Sequence, residues 1–452
     1  MKNISKIISI LFLSFSILLM CYVFYRSQIF HKGTLFNYYI NYYVIAFLLI
    51  FLSFISFFIP KKLKINITTV FLSILIGMYL IEGYLSINKK NLKPIIYKIN
   101  TGKNYDRRTN FQIYKDLKKK DPNIVVSIGP GHFIKDSDVN YLPLSGISNR
   151  KTIQCNEGGY FAIYQSDRYG FNNPDEEWNK DDIEFLLVGD SYTHGACVNE
   201  PDTISGNLRK LNNNKNAVLN LGQSGNGPLI EYATLREYLP FKNVKRVLWI
   251  YFENNDLNEL NDELNNQILV NYLKDKNFTQ NLISRKQEIE KLLFKKLDEE
   301  IIIEKRKYNL EQEKFIDLGF SKFLKLYSVR QIIFQIIFPV PDQAAPLKDF
   351  EHILKLSNEL VKENNSKLYF VYLSGYFRYK WNNNNDNFRN YKKVTEIVEN
   401  LSIPIIDLNK ELLEKHKDRL SLFPFRMVGH YNEKGNQLIA KTIFRKINEL
   451  EK

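Results

Sequence analysis

The first ninety residues differ from the rest of the chain in the density of their apolar positions. Three stretches, each about 19–26 residues long, carry almost no charge: Ile7–Tyr25, Leu35–Pro60 and Ile65–Leu85, with Glu82 near the end of the third. About 20 apolar residues in a helix cross the roughly 30 Å hydrocarbon core of a bilayer. The pattern therefore predicts three transmembrane helices within residues 1–88.

Basic residues around these stretches predict their orientation. Arg26 and Lys32 lie in the loop after the first stretch, against a larger basic group before it and between the second and third stretches: Lys2, Lys6, Lys61, Lys62 and Lys64. Because cytoplasmic loops carry the excess of Lys and Arg, the N-terminus is expected in the cytoplasm. Three spans then place everything after about Leu85 on the extracytoplasmic, periplasmic side of a multi-pass membrane protein.

Beyond residue 180 the pattern alternates between short apolar runs and amphipathic stretches. The runs predict strands buried on both faces: Ile183–Val188, Ala217–Leu221, Arg246–Phe252, Lys367–Leu373 and Ile403–Ile406. The stretches between them predict helices: Thr203–Leu211, Leu229–Tyr238, Phe350–Lys362, Tyr391–Asn400 and Glu433–Ile447. Strand alternating with helix predicts an α/β domain over residues 181–452, with a parallel sheet covered on both sides.

Two segments fall outside this alternation. Residues 89–180 are mixed polar and aromatic and predict an irregular extracytoplasmic lead-in segment. Residues 257–339 lack strand-like runs until their end, and the charged stretch Ser284–Glu313 has helical composition. We interpret this interval as a helical insertion that either forms a lid over the cleft or is a solvated hairpin without a role.

Charge and cysteine content exclude several functions. Lys plus Arg exceeds Asp plus Glu by 63 to 49, a net charge of +14, but the basic residues are spread along the chain, so no nucleic-acid surface is expected. Cys155 and Cys197 both lie in the extracytoplasmic part, where an oxidising compartment favours a disulfide between them over two free thiols. The histidines lack metal-ligand spacing, so neither a metal nor a cofactor is expected.

Polar residues of the types that form hydrolytic active sites follow the predicted strands. Ser191 comes directly after the first strand in Gly-Asp-Ser, Gly225 follows the second, and Asn255, with Asn254 as its alternative, follows the third. His430 lies just before the last helix. Ligands bind beyond the carboxyl ends of parallel strands, and a serine nucleophile there needs a base and oxyanion donors.

These four blocks, in this order, resemble the SGNH/GDSL hydrolase family over roughly residues 181–452. The resemblance implies a three-layer α/β/α, flavodoxin-like fold and hydrolysis or transfer of an ester-linked acyl group, with no cofactor. It implies that Ser191 is the nucleophile and His430 the general base. The backbone N–H groups of Ser191 and Gly225 and the amide of Asn255 would form the oxyanion hole.

The chain departs from the family at one position. Members usually carry an aspartate three residues before the histidine, whereas this chain has Met427. Asp418 or Asp407 could replace it, the imidazole could bond a backbone carbonyl and leave a Ser-His dyad, or the site could be inactive.

Three neighbouring residues receive structural interpretations. Asp190 is expected to brace the turn through backbone hydrogen bonds. His194 is expected at the surface or behind the reacting groups. Asp256 could contact substrate, but a loop carboxylate is usually solvated, and that is the expectation for it.

The leading hypothesis is a membrane-embedded serine esterase or deacylase acting on an O-acylated glycan or a lipid of the cell envelope. One alternative is an O-acyltransferase of an envelope polysaccharide, which would need a partner membrane protein as acyl donor. The other alternative is a non-catalytic binding or scaffold protein with a degenerate site, for which Met427 is the main support.

Overall fold

The protein is described from a computed structural model, which covers residues 2–30, 33, 36–136, 139–313, 321–337, 345–380 and 388–452. The chain divides into two units. The first contains Met1–Lys89 and Ile316–Pro339, and the second contains Lys90–Phe315 and Val340–Lys452. Leu35, which begins one predicted range, and Pro339, which ends another, lie outside the described residues.

Apolar helices dominate the first unit. They span Lys2–Phe24, continued by a π-helical turn over Tyr25–Phe30, then Phe36–Ser56 and Lys61–Thr101, the last of which runs on into the second unit. Three stretches of these helices are long and apolar enough to cross a membrane: Ile4–Phe30, Tyr39–Ser56 and Lys61–Ser86. A further helix of this unit, Tyr327–Ile337, comes from the end of the predicted insertion.

The second unit begins with the lead-in segment, which contains regular elements as well as loops. Its helix Asn110–Lys118 starts with a capping box in which Thr109 and Gln112 bond each other's backbone N–H groups. Three short strands follow and form a small sheet in the order β1-β2-β3: β1 Val125–Val126, β2 Lys151–Ile153 and β3 Ile163–Gln165.

A five-stranded parallel sheet forms the centre of the second unit, as predicted. Its strands are β4 Asp182–Gly189, β5 Ala217–Asn220, β6 Asn243–Phe252, β7 Lys367–Leu373 and β8 Ile405–Asp407. The spatial order is β5-β4-β6-β7-β8, and every neighbouring pair is parallel. The strand order reverses at β4, and ligands bind at such a switch point.

Alternate side chains of the strands enter two separate cores. Leu186 and Val188 of β4 lie in one core, whereas Phe185 and Leu187 lie in the other. Helices cover the first side over Pro228–Tyr238, Leu347–Glu363 and Tyr391–Asn400, and the second side over Ile204–Leu211 and Glu433–Leu450. The predicted α/β fold with a covered parallel sheet is therefore confirmed.

The described parts of the predicted insertion contain helices in both units. In the second unit its helices are Asp256–Glu263, Gln267–Lys274 and Lys286–Glu313. The last of them buries Ile289, Leu293 and Leu297 in the first core. One face of this helix is therefore part of the domain core, and whether it also acts as a lid stays a prediction.

Candidate active site

Ser191 lies where β4 ends, and a tight turn fixes its position. The carboxylate Oδ1 of Asp190 accepts a 2.9 Å hydrogen bond from the Tyr192 N–H and so caps a short helix, Ser191–His194. This confirms the predicted role of Asp190 as a brace of the turn. The cap holds the Ser191 hydroxyl at the switch point of the sheet.

His430 reaches Ser191 from the opposite end of the sequence. Its Nε2 lies 2.9 Å from the Ser191 Oγ, which is within hydrogen-bond distance. The imidazole packs against the ring of Tyr192 with centroids 4.7 Å apart, and the Tyr192 hydroxyl donates to the Gly429 carbonyl. The structure thus brings together the serine and histidine that were predicted from separate motifs.

A carboxylate on the other side of His430 comes from the lead-in segment. Glu157 Oε1 lies 3.1 Å from His430 Nδ1, and its Oε2 accepts a 2.6 Å hydrogen bond from the His430 backbone N–H. Burial opposes ionisation of Glu157, but its hydrogen bonds and charge interaction with His430 outweigh burial and hold its pKa below the ordinary value. Ser191, His430 and Glu157 therefore form a continuous serine, histidine and carboxylate chain, the geometry of a catalytic triad.

Several constraints hold the Glu157 loop in place. Cys155, two residues before Glu157, forms a disulfide with Cys197, which lies six residues after Ser191. Asn156 donates to the Asp106 carbonyl and accepts from the Gly159 N–H. Gly159 has a φ of +98°, and a Cβ there would lie 2.5 Å from the ring of Tyr97, so only glycine fits.

The aspartates expected to replace the missing acid do not lie beside His430. The Asp418 carboxylate pairs with Arg426 at 2.5 Å. The Asp407 carboxylate accepts hydrogen bonds from the Tyr391 hydroxyl and the Asn409 N–H. Instead, Glu157 lies at His430 Nδ1, a carboxylate that the sequence analysis did not single out.

The predicted oxyanion donors follow β5 and β6. Gly225 has a φ of +82°, and Ser224 beside it contacts His194 Nδ1 at 3.1 Å, so this loop lies next to the Ser191 helix. The Asn255 amide donates to Asp190 Oδ2 at 3.2 Å and to Glu259 Oε1 at 2.9 Å. Both amide hydrogens of Asn255 thus bond carboxyl oxygens, and one must be released before it can donate to an oxyanion.

Asn254, the alternative to Asn255, points elsewhere. Its amide packs against the backbone of Gly375, where an added Cβ would lie 2.1 Å from Asn254 Nδ2. Asn255 is therefore the one of the two that lies beside Asp190 and the Ser191 turn.

Five buried carboxyl groups lie close to the Asn255 amide or to each other. Burial raises the pKa of each above its ordinary value, to about 8 for Glu259 and to about 7 for Glu263; the others are Asp190, Glu231 and Asp256. The expectation that Asp256 is solvated is wrong, because it is fully buried and accepts from the Phe252 N–H. With a pKa of about 8, Glu259 is largely protonated at neutral pH, which limits negative charge beside the Asn255 amide.

His194 is buried rather than exposed, and it contacts residues of the lead-in segment and of the Gly225 loop. Its ring nitrogens contact Gln154, Ser224 and the Tyr164 hydroxyl. Burial, followed by the charge of His430, lowers its pKa to about 3. A neutral His194 can bridge the lead-in segment and the Gly225 loop, but it is not placed to act as the base for Ser191.

Three residues of the site carry atoms that could bind a metal ion. Glu157, Cys197 and His430 place one potential ligand atom each within 4.8 Å of one another. The Cys197 sulfur is bonded to Cys155, however, and His430 Nδ1 faces the Glu157 carboxylate. Because the sulfur is part of a disulfide and the imidazole faces the carboxylate, these residues fit a serine, histidine and carboxylate site better than a metal centre.

Comparisons with known proteins give distant structural similarity only. No family model matches the chain, and no curated protein matches it. The chain is similar to an acetyl xylan esterase at 12% identity, with 59% of this chain and 100% of the other covered and a TM-score of 0.33. It is similar to a lipase/acylhydrolase from Enterococcus faecalis at 12% identity, 58% and 95% coverage and a TM-score of 0.33. A psychrotrophic esterase from Pseudoalteromonas sp. gives 10% identity, 60% and 98% coverage and a TM-score of 0.32.

Proposed function

We propose that the chain is a membrane-anchored serine esterase or deacylase of the SGNH/GDSL type. The observation that carries this proposal is the contact of Ser191 Oγ with His430 Nε2 at 2.9 Å, with Glu157 at the other imidazole nitrogen. The scaffold alternative rested on the missing acid at Met427, and Glu157 removes that support.

The proposed reaction uses this geometry. His430 Nε2 takes the proton of the Ser191 hydroxyl while Oγ attacks the ester carbonyl carbon, and the Glu157 carboxylate stabilises the resulting imidazolium. The tetrahedral oxyanion accepts hydrogen bonds from the Ser191 and Gly225 N–H groups and from one released Asn255 hydrogen. His430 then protonates the leaving alcohol, and a water activated in the same way hydrolyses the acyl-serine.

The substrate we propose is an ester-linked acyl group on an envelope glycan or lipid, outside the cytoplasm. Among the described residues, three helices long and apolar enough to span a membrane support this location. The disulfide Cys155–Cys197 supports an oxidising, extracytoplasmic compartment for the second unit. An acyltransferase would use the same acyl-serine, with a sugar hydroxyl in place of water.

The test is hydrolysis of p-nitrophenyl acetate by the full-length protein in detergent, together with labelling by a serine-reactive fluorophosphonate. We expect Ser191→Ala and His430→Ala to lose at least about 10³-fold in kcat, and Ser191→Ala to lose the label. The matched control is His352→Ala, an exposed histidine on the helix Leu347–Glu363, which should retain both.

Full-length protein is essential to this test. A fragment that starts at Asp181 would lack Glu157 and one half of the disulfide. Turnover that survives Ser191→Ala would contradict the proposal. Labelling of Ser191 without hydrolysis, followed by turnover when a sugar acceptor is added, would favour the acyltransferase.

A further inference from the structure

The segment 321–337 of the predicted insertion belongs to the same unit as the apolar helices. Its helix Tyr327–Ile337 follows a short stretch that contacts the third span directly. The Tyr79 hydroxyl donates to the Leu324 carbonyl at 2.9 Å, and the rings of Tyr79 and Phe323 lie 5.3 Å apart. These contacts dock the segment on one face of the span Lys61–Ser86.

A buried carboxylate fixes the start of this helix. Glu82, only 1% exposed, accepts hydrogen bonds of 2.9 Å from the backbone N–H groups of both Ser328 and Val329. A carboxylate at a helix N-terminus satisfies unpaired N–H groups and interacts favourably with the helix dipole. A charged residue in a membrane span is costly, so this pairing gives Glu82 a structural reason to be there.

The docking contacts lie at a defined depth along the span. Glu82 is four residues and Tyr79 seven residues before Ser86, where the span ends. At a helical rise of about 1.5 Å per residue, these positions are roughly 6 and 10 Å inside that end. Amphipathic interfacial helices bury their apolar face about 5–10 Å into the boundary between headgroups and acyl chains, the same depth.

The outer surface of the segment matches a lipid interface. Leu324, Ile332 and Ile333 are 52%, 44% and 40% exposed. On the third span, Ile76 and Leu80 are 62% and 71% exposed, so the span and the segment both present apolar side chains at their surfaces. Three exposed basic residues accompany it and would face anionic headgroups: Lys322, Lys325 and Arg330.

We propose that residues 321–337 form a further membrane-associated element, in which helix Tyr327–Ile337 lies in the lipid interface beside the third span and is held there by Glu82. The partner of its exposed apolar face is the bilayer. The inference rests on the first unit alone and does not depend on the proposed reaction.

The test places a nitroxide spin label at Ile332→Cys in the full-length chain with Cys21→Ser, because Cys155 and Cys197 are bonded to each other. The protein is reconstituted in liposomes of phosphatidylcholine and phosphatidylglycerol. We expect the label to collide more often with molecular oxygen, which partitions into lipid, than with a water-soluble nickel chelate. The matched control is Ile302→Cys, a 51% exposed isoleucine on the helix Lys286–Glu313 of the second unit, which should show the reverse.

Two results would overturn the inference. A label at residue 332 with the water-exposed profile of residue 302 would place the helix in solvent. A label shielded from both reagents would mean that protein, not lipid, covers this face.

The role of Glu82 is tested in the same system. Glu82→Leu should increase the mobility and nickel accessibility of the label at residue 332, because the two N–H groups lose their acceptor. A label at Ile76→Cys in the Glu82→Leu background checks that the span is still inserted. Unchanged accessibility at residue 332 with an inserted span would contradict the anchoring role.

Discussion

The edge of the central sheet and the lead-in loop contribute to the candidate active site in different ways. Ser191, Gly225 and Asn255 each follow a strand, so the parallel sheet itself brings them to one edge. Glu157 lies on a loop that no strand of this sheet positions. A disulfide, the Asn156 hydrogen bonds and the fit of Gly159 against Tyr97 hold it instead.

This difference makes an acid at position 427 unnecessary, because Glu157 reaches the imidazole from a separate loop. What His430 needs is a carboxylate at Nδ1, and the segment that provides it is free to vary as long as it is fixed to the domain. Gly429 makes this arrangement possible, because a Cβ there would lie 2.6 Å from Glu157 Oε2. We therefore expect activity to require the lead-in segment as well as the α/β domain.

The largest effect expected on the lead-in side is that of Glu157→Gln. An amide at this position cannot stabilise the imidazolium and favours the wrong tautomer, so kcat should fall by about 10³- to 10⁴-fold. The matched control Asp418→Asn, which changes a carboxylate paired with Arg426, should leave kcat within about twofold. Equal activity of Glu157→Gln and wild type would show that Ser191 and His430 act as a dyad.

On the sheet side, Asn255→Ala should lower kcat by about 10²-fold with little change in KM, as expected for loss of one oxyanion donor. Asn254→Ala is the control, since that amide packs against Gly375 instead. Both variants are compared by steady-state hydrolysis of p-nitrophenyl acetate. A larger loss of kcat in Asn254→Ala would reverse the assignment.

The disulfide should have a smaller effect on turnover than the acid it positions. Replacing both Cys155 and Cys197 by serine opens a loop of 42 residues, which is expected to cost about 4 kcal/mol of unfolding free energy. We expect kcat to fall about tenfold, because Glu157 then spends less time at His430. Cys21→Ser, which removes the free cysteine of the first unit, is the control and should change neither quantity.

Combining the disulfide change with Glu157→Gln sharpens this prediction. If the disulfide acts through Glu157, its removal should cost no further activity once the carboxylate is gone. An additive loss would mean that the disulfide supports Ser191 by another route.

The sheet and its serine could be predicted from the sequence because buried parallel strands leave continuous apolar runs. Lys367–Leu373 was predicted to the residue, and β4 differs from its prediction by one residue at each end. Glu157 has no such signal, since it lies in a loop without periodicity. The one available clue was the predicted disulfide, which places a residue two positions after Cys155 close to a segment that starts at Ser191.

The contact between residues 321–337 and the third span could not be predicted from the sequence, for a related physical reason. Residues 321–337 contain isoleucines and phenylalanines among basic residues, a composition that also suits a helix packed on a soluble domain. Glu82 appeared only as an exception within an apolar span. Its backbone partners Ser328 and Val329 lie about 250 positions away, and no sequence pattern connects the two sites.

The smallest effect on turnover is expected for a change at Glu259, one of the buried carboxyl groups near the Asn255 amide. Glu259 has a pKa of about 8 in the folded protein against an ordinary 4.5, first because of burial and then because of the charge of Asp190. Between these values the folded state binds more protons than the unfolded state, so the unfolding free energy falls as pH rises from about 4.5 to 8. Below that range both states are protonated and Glu259 contributes nothing.

Glu259→Gln removes this titration while its side-chain oxygen can still accept from Asn255. The variant should therefore retain kcat within about threefold and gain a few kcal/mol of unfolding free energy at pH 8, with no gain at pH 4. Denaturant unfolding of the full-length protein in detergent, followed by the fluorescence of buried Trp249, measures the difference, with exposed Glu399→Gln as control. Parallel pH profiles for variant and wild type would mean that Glu259 is ionised in the folded protein. Asn255 would then bond a permanent charge, and its release to an oxyanion would be harder than the proposed mechanism requires.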